Sequence, residues 1–256
     1  MGYETLQFEL HGHVALVTLN RPPVNALNRQ ARAEIIAVFD EISAREDIRC
    51  AVLTGAGKTF CAGADLKDRP NLEQPGDFLE HNRITRETGN AIRECSKPVI
   101  AAVNGAALGA GLGLMASCDI FYASENATFG MPEINVGLAG GASMLNTLFG
   151  RSTMRRMFYT GVRLTAEEML ERRVIEKITT LEDLVPTAMA VAQEIASKSP
   201  LAIRYAKQAM TLVEHMPQRD AYRMEQNYTM ALAQTEDAKE ARMAFLEKRE
   251  PKFTGR

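Results

Sequence analysis

The chain has 256 residues, a formal net charge of −2 at pH 7, and a composition that is 46% hydrophobic and 24% charged. This composition is typical of a soluble globular protein, and a chain of this length can bury a substantial core. The slightly acidic balance provides no general attraction to nucleic acid or to anionic membranes, so we expect neither as a partner.

The cysteines and the N-terminal segment both indicate a reducing compartment. The four cysteines are scattered, form no C-x-x-C pair and, except for Cys95, have apolar neighbours, so they are expected to be buried free thiols. The four histidines show no metal-ligand spacing. The segment MGYETLQFEL lacks the basic start and apolar core of a signal peptide. We therefore predict a cytoplasmic protein without a metal site.

Strands and helices alternate in the first part of the chain. Apolar periodicity and turn residues define these elements. In order they are a hairpin over 3–19 turning at His11-Gly12, a helix over 31–43, a buried strand over 50–53, a loop over 54–65, a polar loop over 70–77 that we expect to be mobile, and a helix over 84–95.

The stretch 97–141 carries the clearest sign of a reaction site. A buried strand over 99–103 is followed by a glycine-rich turn, a short apolar helix and a second apolar run over 120–122. Glu133 then stands in an uncharged neighbourhood. The uncharged run could suggest a membrane span, but Pro98 and the glycines break a continuous helix. The glycine spacing does not match a dinucleotide fingerprint or a phosphate loop.

After residue 141 helical patterns dominate, so the chain is predicted to be an α/β body with a helical tail. Thr165 and Glu168 have the spacing of a capping box, which fixes one helix start. A composition shift near residue 195 divides the chain into a core over 1–195 and a helical region over 196–256. The predicted helices cover 143–149, 153–159, 165–171, 181–197, 200–213, 219–233 and 236–247.

Six motifs in order resemble the enoyl-CoA hydratase/isomerase family, the crotonase superfamily. They are LNRPPVNAL (19–27), AVLTGAGKTFCAGADLK (51–67), KPVIAAVNGAALGAG (97–111), CDIFYASENATFGMPEINVGL (118–138), GVRLTAEEMLERRVIEKI (161–178) and FLEKREPKF (245–253). The resemblance implies a spiral of ββα turns followed by a helical trimerisation region, assembled as homotrimers or as hexamers of two trimers. It also implies an acyl-CoA thioester substrate and no cofactor, with coenzyme A present only as part of that substrate.

The resemblance also assigns roles to individual residues. The amides of Ala64 and Ala110 match the two donors that stabilise a thioester enolate. Glu133 matches the second catalytic glutamate of the hydratases, and burial should raise its pKa towards the working pH. Further matched positions border the substrate or its coenzyme A part: Arg21, Val24, Ala26, Ala62, Asp65, Leu66, Lys67, Gly113, Gly141, Lys248 and Lys252.

One departure from the family pattern leaves the reaction open. Hydratases carry their first glutamate in G-G-x-x-E-L, and Gly113 stands at that position here. A single carboxylate suffices to move a proton between two carbons, so both isomerase and hydratase activity remain possible. The space that Gly113 vacates could admit a bulkier acyl group, or a water supplied by another side chain.

Two further readings concern other kinds of chemistry. One is a hydrolase or C–C lyase acting on a cyclic or aromatic acyl-CoA, in which a helical tyrosine, Tyr159, Tyr205, Tyr222 or Tyr228, could assist. The other is a catalytically reduced subunit that only binds acyl-CoA. Substitution of Glu133 distinguishes an enzyme from such a binding subunit.

Overall fold

The computed structural model describes residues 2–256, and a six-stranded sheet forms its centre. The strands, numbered in chain order with those of a second sheet, are β1 (Leu6–His11), β2 (Val14–Leu19), β3 (Cys50–Gly55), β4 (Val99–Val103), β6 (Ile120–Ser124) and β9 (Lys177–Thr179). Their spatial order is β1-β2-β3-β4-β6-β9. The β1–β2 hairpin is antiparallel, and every other pair in this sheet is parallel.

A small second sheet lies directly before Glu133 in the chain, because its strand β7 ends three residues before this glutamate. Its strands are β5 (Ala107–Leu108), β7 (Thr128–Gly130) and β8 (Arg163–Thr165). β7 lies in the middle, parallel to β5 and antiparallel to β8. An isolated bridge between Cys61 and Ala107 connects the loop after β3 to this sheet. The second sheet therefore joins two segments that the sequence separates by more than 40 residues.

Helices cover both faces of the large sheet, because its parallel strands are apolar on both sides. The helices are α1 (Arg29–Ala44), α2 (Asp77–Arg93), α3 (Ala110–Ala116), α4 (Ala142–Leu145), α5 (Arg151–Thr160), α6 (Ala166–Glu171), α7 (Leu181–Ala196), α8 (Pro200–Val213), α9 (Gln218–Leu232) and α10 (Glu236–Glu247), with a short 3-10 helix at Pro132–Val136. The buried residues of α7 recur at every fourth position and pack on one face of the sheet. The buried face of α1 lies in the main core on the other side.

Most of the predicted elements are confirmed. The hairpin is present, α8 and α10 have the predicted bounds, and Thr165 and Glu168 form the capping box. All four cysteines are free and buried, Cys95 included. No helix in residues 2–256 is both long enough and apolar enough to span a membrane.

Three predictions about local structure were wrong. Strands do not stop at residue 141, because β8 and β9 follow, and β9 completes the large sheet. α2 begins at Asp77 and not at residue 84, and its first turns, which include Phe78 and Leu79, are exposed. α4 ends at Leu145 and not at residue 149. The division at residue 195 stays a prediction.

Candidate functional site

Glu133 lies in the 3-10 helix after β7, with its carboxylate against the backbone of Gly109. Gly109 has φ of +53°, a conformation that favours glycine. A Cβ at this position would overlap Oε1 of Glu133 and lie 3.1 Å from its Cδ. The Gly109 amide donates to the Gly130 carbonyl at 2.8 Å, which ties the start of α3 to β7. The glycine therefore makes room for the carboxylate directly beside the α3 N-terminus.

The carboxylate of Glu133 is partly withdrawn from water and incompletely hydrogen-bonded. Its Oε2 atom is buried and has no hydrogen-bond partner among residues 2–256. Burial raises the pKa of Glu133, because a charged carboxylate loses hydration there. A group in this condition is a stronger base than an exposed glutamate and can exchange a proton at a pH closer to neutrality.

The two predicted amide donors lie on adjoining backbone segments. Leu108 N donates to Cys61 O at 3.0 Å, and a Cβ on Gly63 would lie 2.8 Å from Leu108 O and 3.6 Å from Ala110 N. Within the part of the chain that is described, neither the Ala64 nor the Ala110 amide donates to a protein acceptor. Both N–H groups are therefore available to a ligand oxygen. Their role in catalysis stays a prediction.

The predicted coenzyme A positions lie along a ribbon of two backbone segments, 21–27 and 61–67, that run side by side. Ala62 N donates to Val24 O at 3.0 Å, Leu27 N donates to Gly63 O at 2.8 Å, and Asp65 N donates to Leu27 O at 3.0 Å. This pairing brings together seven of the predicted residues: Arg21, Val24, Ala26, Ala62, Asp65, Leu66 and Lys67.

Two of these seven residues bind each other. Arg21 forms a 2.7 Å salt bridge with Asp65 and also donates to the Ala26 carbonyl at 2.9 Å. The main-chain amide of Lys67 donates to Asp65, and with Arg21 it holds the pKa of that carboxyl below its usual value. Arg21 and Asp65 thus fix the shape of the ribbon, whereas Leu66 (57% exposed) and Lys67 face solvent.

Sequence reasoning missed Asn25, whose side chain connects the first segment of the ribbon to the loop that follows β3. The residue is buried and has φ of +52°. Its amide nitrogen donates to the carbonyls of Ala56 (3.0 Å), Thr59 (2.7 Å) and Phe60 (3.3 Å), and its oxygen accepts from Arg21 N at 3.0 Å. Asparagine tolerates this backbone conformation better than most residues. The signal in the sequence was a polar residue enclosed by apolar ones in P-P-V-N-A-L.

Met144 occupies the space that Gly113 leaves open. A Cβ on Gly113 would lie 3.2 Å from both Sδ and Cε of Met144. Gly113 N donates to Gly109 O at 3.0 Å, so the two glycines are one turn apart on α3. The thioether of Met144 therefore lies against α3 one turn beyond the N-cap residue that the Glu133 carboxylate contacts.

The remaining predicted residues lie in two places. Gly141 caps the N-terminus of α4 with φ of +83° and is covered by the methyl group of Met131. Lys248 and Lys252 lie at and beyond the end of α10, where the Lys252 amide donates to Glu240 at 2.8 Å. Within the described residues no hydrogen bond or ion pair joins these lysines to the Glu133 region, so a role for them in coenzyme A binding stays a prediction.

Cavity size does not identify the site. A cavity of about 470 Å³ beside β6 and α8 is lined by none of the predicted site residues, and a larger one of about 740 Å³ at the end of α10 is lined by only one of them, Lys252. The identification rests instead on the juxtaposition of Glu133, two free amides and the ribbon over 21–27 and 61–67.

Comparison with known proteins agrees with this arrangement. The profile of the family described as "Enoyl-CoA hydratase/isomerase" matches residues 9–256. The short-chain-enoyl-CoA hydratase of Clostridium acetobutylicum is 36% identical, covering 97% of each chain. The (7aS)-7a-methyl-1,5-dioxo-2,3,5,6,7,7a-hexahydro-1H-indene-carboxyl-CoA hydrolase of Mycobacterium tuberculosis is 35% identical, covering 92% of this chain and 95% of the relative.

A solved structure shows the same fold. The crystal structure of an enoyl-CoA hydratase from Bacillus anthracis superposes with a TM-score of 0.93 at 33% identity, covering 99% of this chain and 100% of the other. With the family profile and the two relatives, this places the chain in the enoyl-CoA hydratase/isomerase family, the crotonase superfamily.

Proposed function

We propose that the protein is an acyl-CoA enzyme in which Glu133 alone moves a proton between two carbons of the acyl group, as an enoyl-CoA isomerase does. The observation that carries this proposal is the setting of Glu133 beside α3. Its Oε2 atom is buried without a hydrogen-bond partner among residues 2–256. One turn along α3, at the position that the family resemblance gives to the first glutamate of hydratases, the chain has Gly113, against which the thioether of Met144 lies. The site thus supplies one acid–base group and an apolar neighbour.

The proposed reaction begins with ionised Glu133 accepting a proton from an acyl carbon. The electron pair left behind forms a new double bond, and negative charge develops on the thioester oxygen as an enolate. The amides of Ala64 and Ala110 stabilise that oxygen by hydrogen bonding. The Glu133 carboxyl then returns the proton to a second carbon, which shifts the double bond and regenerates the carboxylate.

Hydration is the less favoured chemistry because the site offers little to hold a water. By the family resemblance, Gly113 stands where hydratases have their first glutamate. Here the thioether of Met144 lies against Gly113. A thioether is only a weak hydrogen-bond acceptor, and a bound water needs two to four polar partners. Glu133 and the Gly141 amide would have to position the water without the second acid.

The rest of the proposal concerns the substrate and the assembly. The ribbon over 21–27 and 61–67 would hold coenzyme A, with Leu66 and Lys67 as contact residues and Lys248 and Lys252 reaching a phosphate from a neighbouring subunit. That arrangement requires a homotrimer or a hexamer of two trimers. No further cofactor is needed, because proton transfer uses only the enzyme and its substrate.

A second candidate function is hydrolysis of a cyclic acyl-CoA. The similarity to the Mycobacterium tuberculosis hydrolase, over 92% of this chain, favours it. The same oxyanion-stabilising amides would serve this reaction. Product analysis separates the two candidates, since hydrolysis takes up one water and either releases coenzyme A by breaking the thioester or opens the ring by breaking a C–C bond, whereas isomerisation leaves the mass unchanged.

Glu133→Gln tests whether the protein is an enzyme of this kind. The variant keeps the shape of the side chain and removes the base. We expect turnover of 3-enoyl-CoA substrates to fall by about 10²–10⁴-fold, while the Kd for butyryl-CoA stays within twofold. Glu125→Gln, an exposed acid after β6, is the matched control and should leave both values unchanged. Equal behaviour of the two variants in both assays would point to a subunit that only binds acyl-CoA.

A further inference from the structure

Arg32 is a buried charge without a partner. The residue lies on the inner side of α1 and is only 3% exposed. Its Nε atom is buried without an acceptor, and no described residue accepts a hydrogen bond from its guanidinium or forms a salt bridge with it. An unpaired buried charge is strongly unfavourable, so a bound anion would stabilise this guanidinium.

No group around Arg32 pairs with its guanidinium. Asp68 lies close enough for its charge to affect Arg32, but it forms no salt bridge or hydrogen bond with Arg32, and one of its carboxylate oxygens accepts from the main-chain amide of Arg29. Cys61, the other neighbour, is a thiol whose pKa is raised to about 12 by burial, so it carries no charge at neutral pH. Burial and the charge of Arg32 lower the pKa of His81, so this imidazole is neutral as well.

The inner face of α2 adds a second unsatisfied polar group. Thr85 follows His81 by one turn, and its hydroxyl oxygen is buried without a hydrogen-bond partner. One further turn along α2 is Gly89, where a Cβ would lie 2.8 Å from Cε of Met144. The inner face of α2 thus runs from His81 through Thr85 to Gly89, which contacts the same methionine that covers Gly113.

We propose that Arg32 and Thr85 bind a carboxylate at the far end of the acyl group, so that the preferred substrates are CoA thioesters of dicarboxylic acids. This inference rests on the proposed function. Cys61, which lies close enough to Arg32 to affect its pKa, is three residues from Ala64, a span of at most about 10 Å of extended chain. An acyl group of about six carbons can bridge this distance once a hydrogen bond is allowed at each end. Arg32 and Thr85 would together supply charged and neutral donors to the two carboxylate oxygens.

The test compares two thioesters that differ only in the terminal group, hexanoyl-CoA and adipyl-CoA, by calorimetric titration. The wild-type protein should bind adipyl-CoA at least tenfold more tightly. Arg32→Met should abolish this preference while leaving the Kd for hexanoyl-CoA within threefold, and Thr85→Val should reduce it several-fold. Arg29→Met removes an equal charge three residues away, from a residue paired with Asp77, and should leave the preference intact.

A thermal melt without ligand separates binding from a structural role. Arg32→Met should melt at the wild-type temperature or higher, because it removes an unpaired buried charge. A fall in Tm together with an unchanged adipyl-CoA preference would overturn the inference. If the wild-type protein binds hexanoyl-CoA and adipyl-CoA equally, the carboxylate subsite is wrong and the proposed function stands. If it binds neither thioester, the proposed function itself fails.

Discussion

Replacing Gly109 with alanine should disable the site by displacing the Glu133 carboxylate. The added methyl group would overlap Oε1 of Glu133, and the three atoms nearest to it all belong to this side chain. The carboxylate would have to retreat by on the order of 1 Å, and a misplacement of this size can cost about 10²-fold in rate. We therefore expect kcat for 3-enoyl-CoA isomerisation to fall by about two orders of magnitude, with a smaller change in KM.

The same substitution also strains the backbone. A φ of +53° is unfavourable for alanine, and residues held in such sparsely populated regions cost about 1–3 kcal/mol. Typical domains have about 5–15 kcal/mol of stability. The variant should therefore remain folded at 25 °C, so that its activity can be measured. Urea unfolding followed by circular dichroism would give the stability loss.

Gly12→Ala isolates the strain from the displacement. Gly12 has φ of +62° in the β1–β2 turn, and a Cβ there would meet no atom within 4 Å. This control should lose stability of about 1–2 kcal/mol and keep its full kcat. The reasoning is refuted if Gly109→Ala is as active as Gly12→Ala at equal fractions of folded protein.

Three further predictions follow from single contacts. Asn25→Ala should lower the free energy of unfolding by about 2–4 kcal/mol, because it strands buried carbonyls and places alanine at positive φ; a loss under about 1 kcal/mol in urea would contradict the role given to this side chain. Gly113→Glu combined with Met144→Ala should raise hydration of crotonyl-CoA at least tenfold over the wild-type protein, since it puts a second acid beside Glu133; an unchanged rate of double-bond loss would count against the site geometry. Because folded Glu133 holds its proton more tightly than the unfolded chain does, its contribution to stability should decline as pH rises from the ordinary glutamate pKa through the raised one. Glu133→Gln should remove that part of the slope in a series of urea titrations, and parallel slopes for the two proteins would be inconsistent with a raised pKa.

Long apolar runs made the large sheet predictable from sequence. The strand over 99–103 is buried at every position, and both bounds agree with the structure. β8 and β9 were missed because each has three residues and only one buried side chain, so neither shows an alternating pattern. The early turns of α2 were missed because their apolar residues, Phe78 and Leu79, are adjacent and exposed and do not continue into a buried stripe.

The candidate site was predictable only where a single residue was unusual in its local sequence. Glu133 stood out as a lone acid among apolar residues, and the structure shows it half-buried, with Oε2 withdrawn from water. Met144 could not be matched with Gly113, because 31 residues separate them and a side chain from α4 reaches α3 only through the fold. Arg32 showed nothing unusual in sequence, since an arginine on an amphipathic helix normally faces solvent.

The most direct test of the lone proton shuttle is a mass-resolved assay in deuterated water with crotonyl-CoA and a 3-enoyl-CoA. The account predicts a shifted double bond with deuterium incorporation and no added water, and loss of both changes in Glu133→Gln. A product heavier by one water, formed at a rate comparable with double-bond migration, would contradict the claim that Glu133 acts without a second acid.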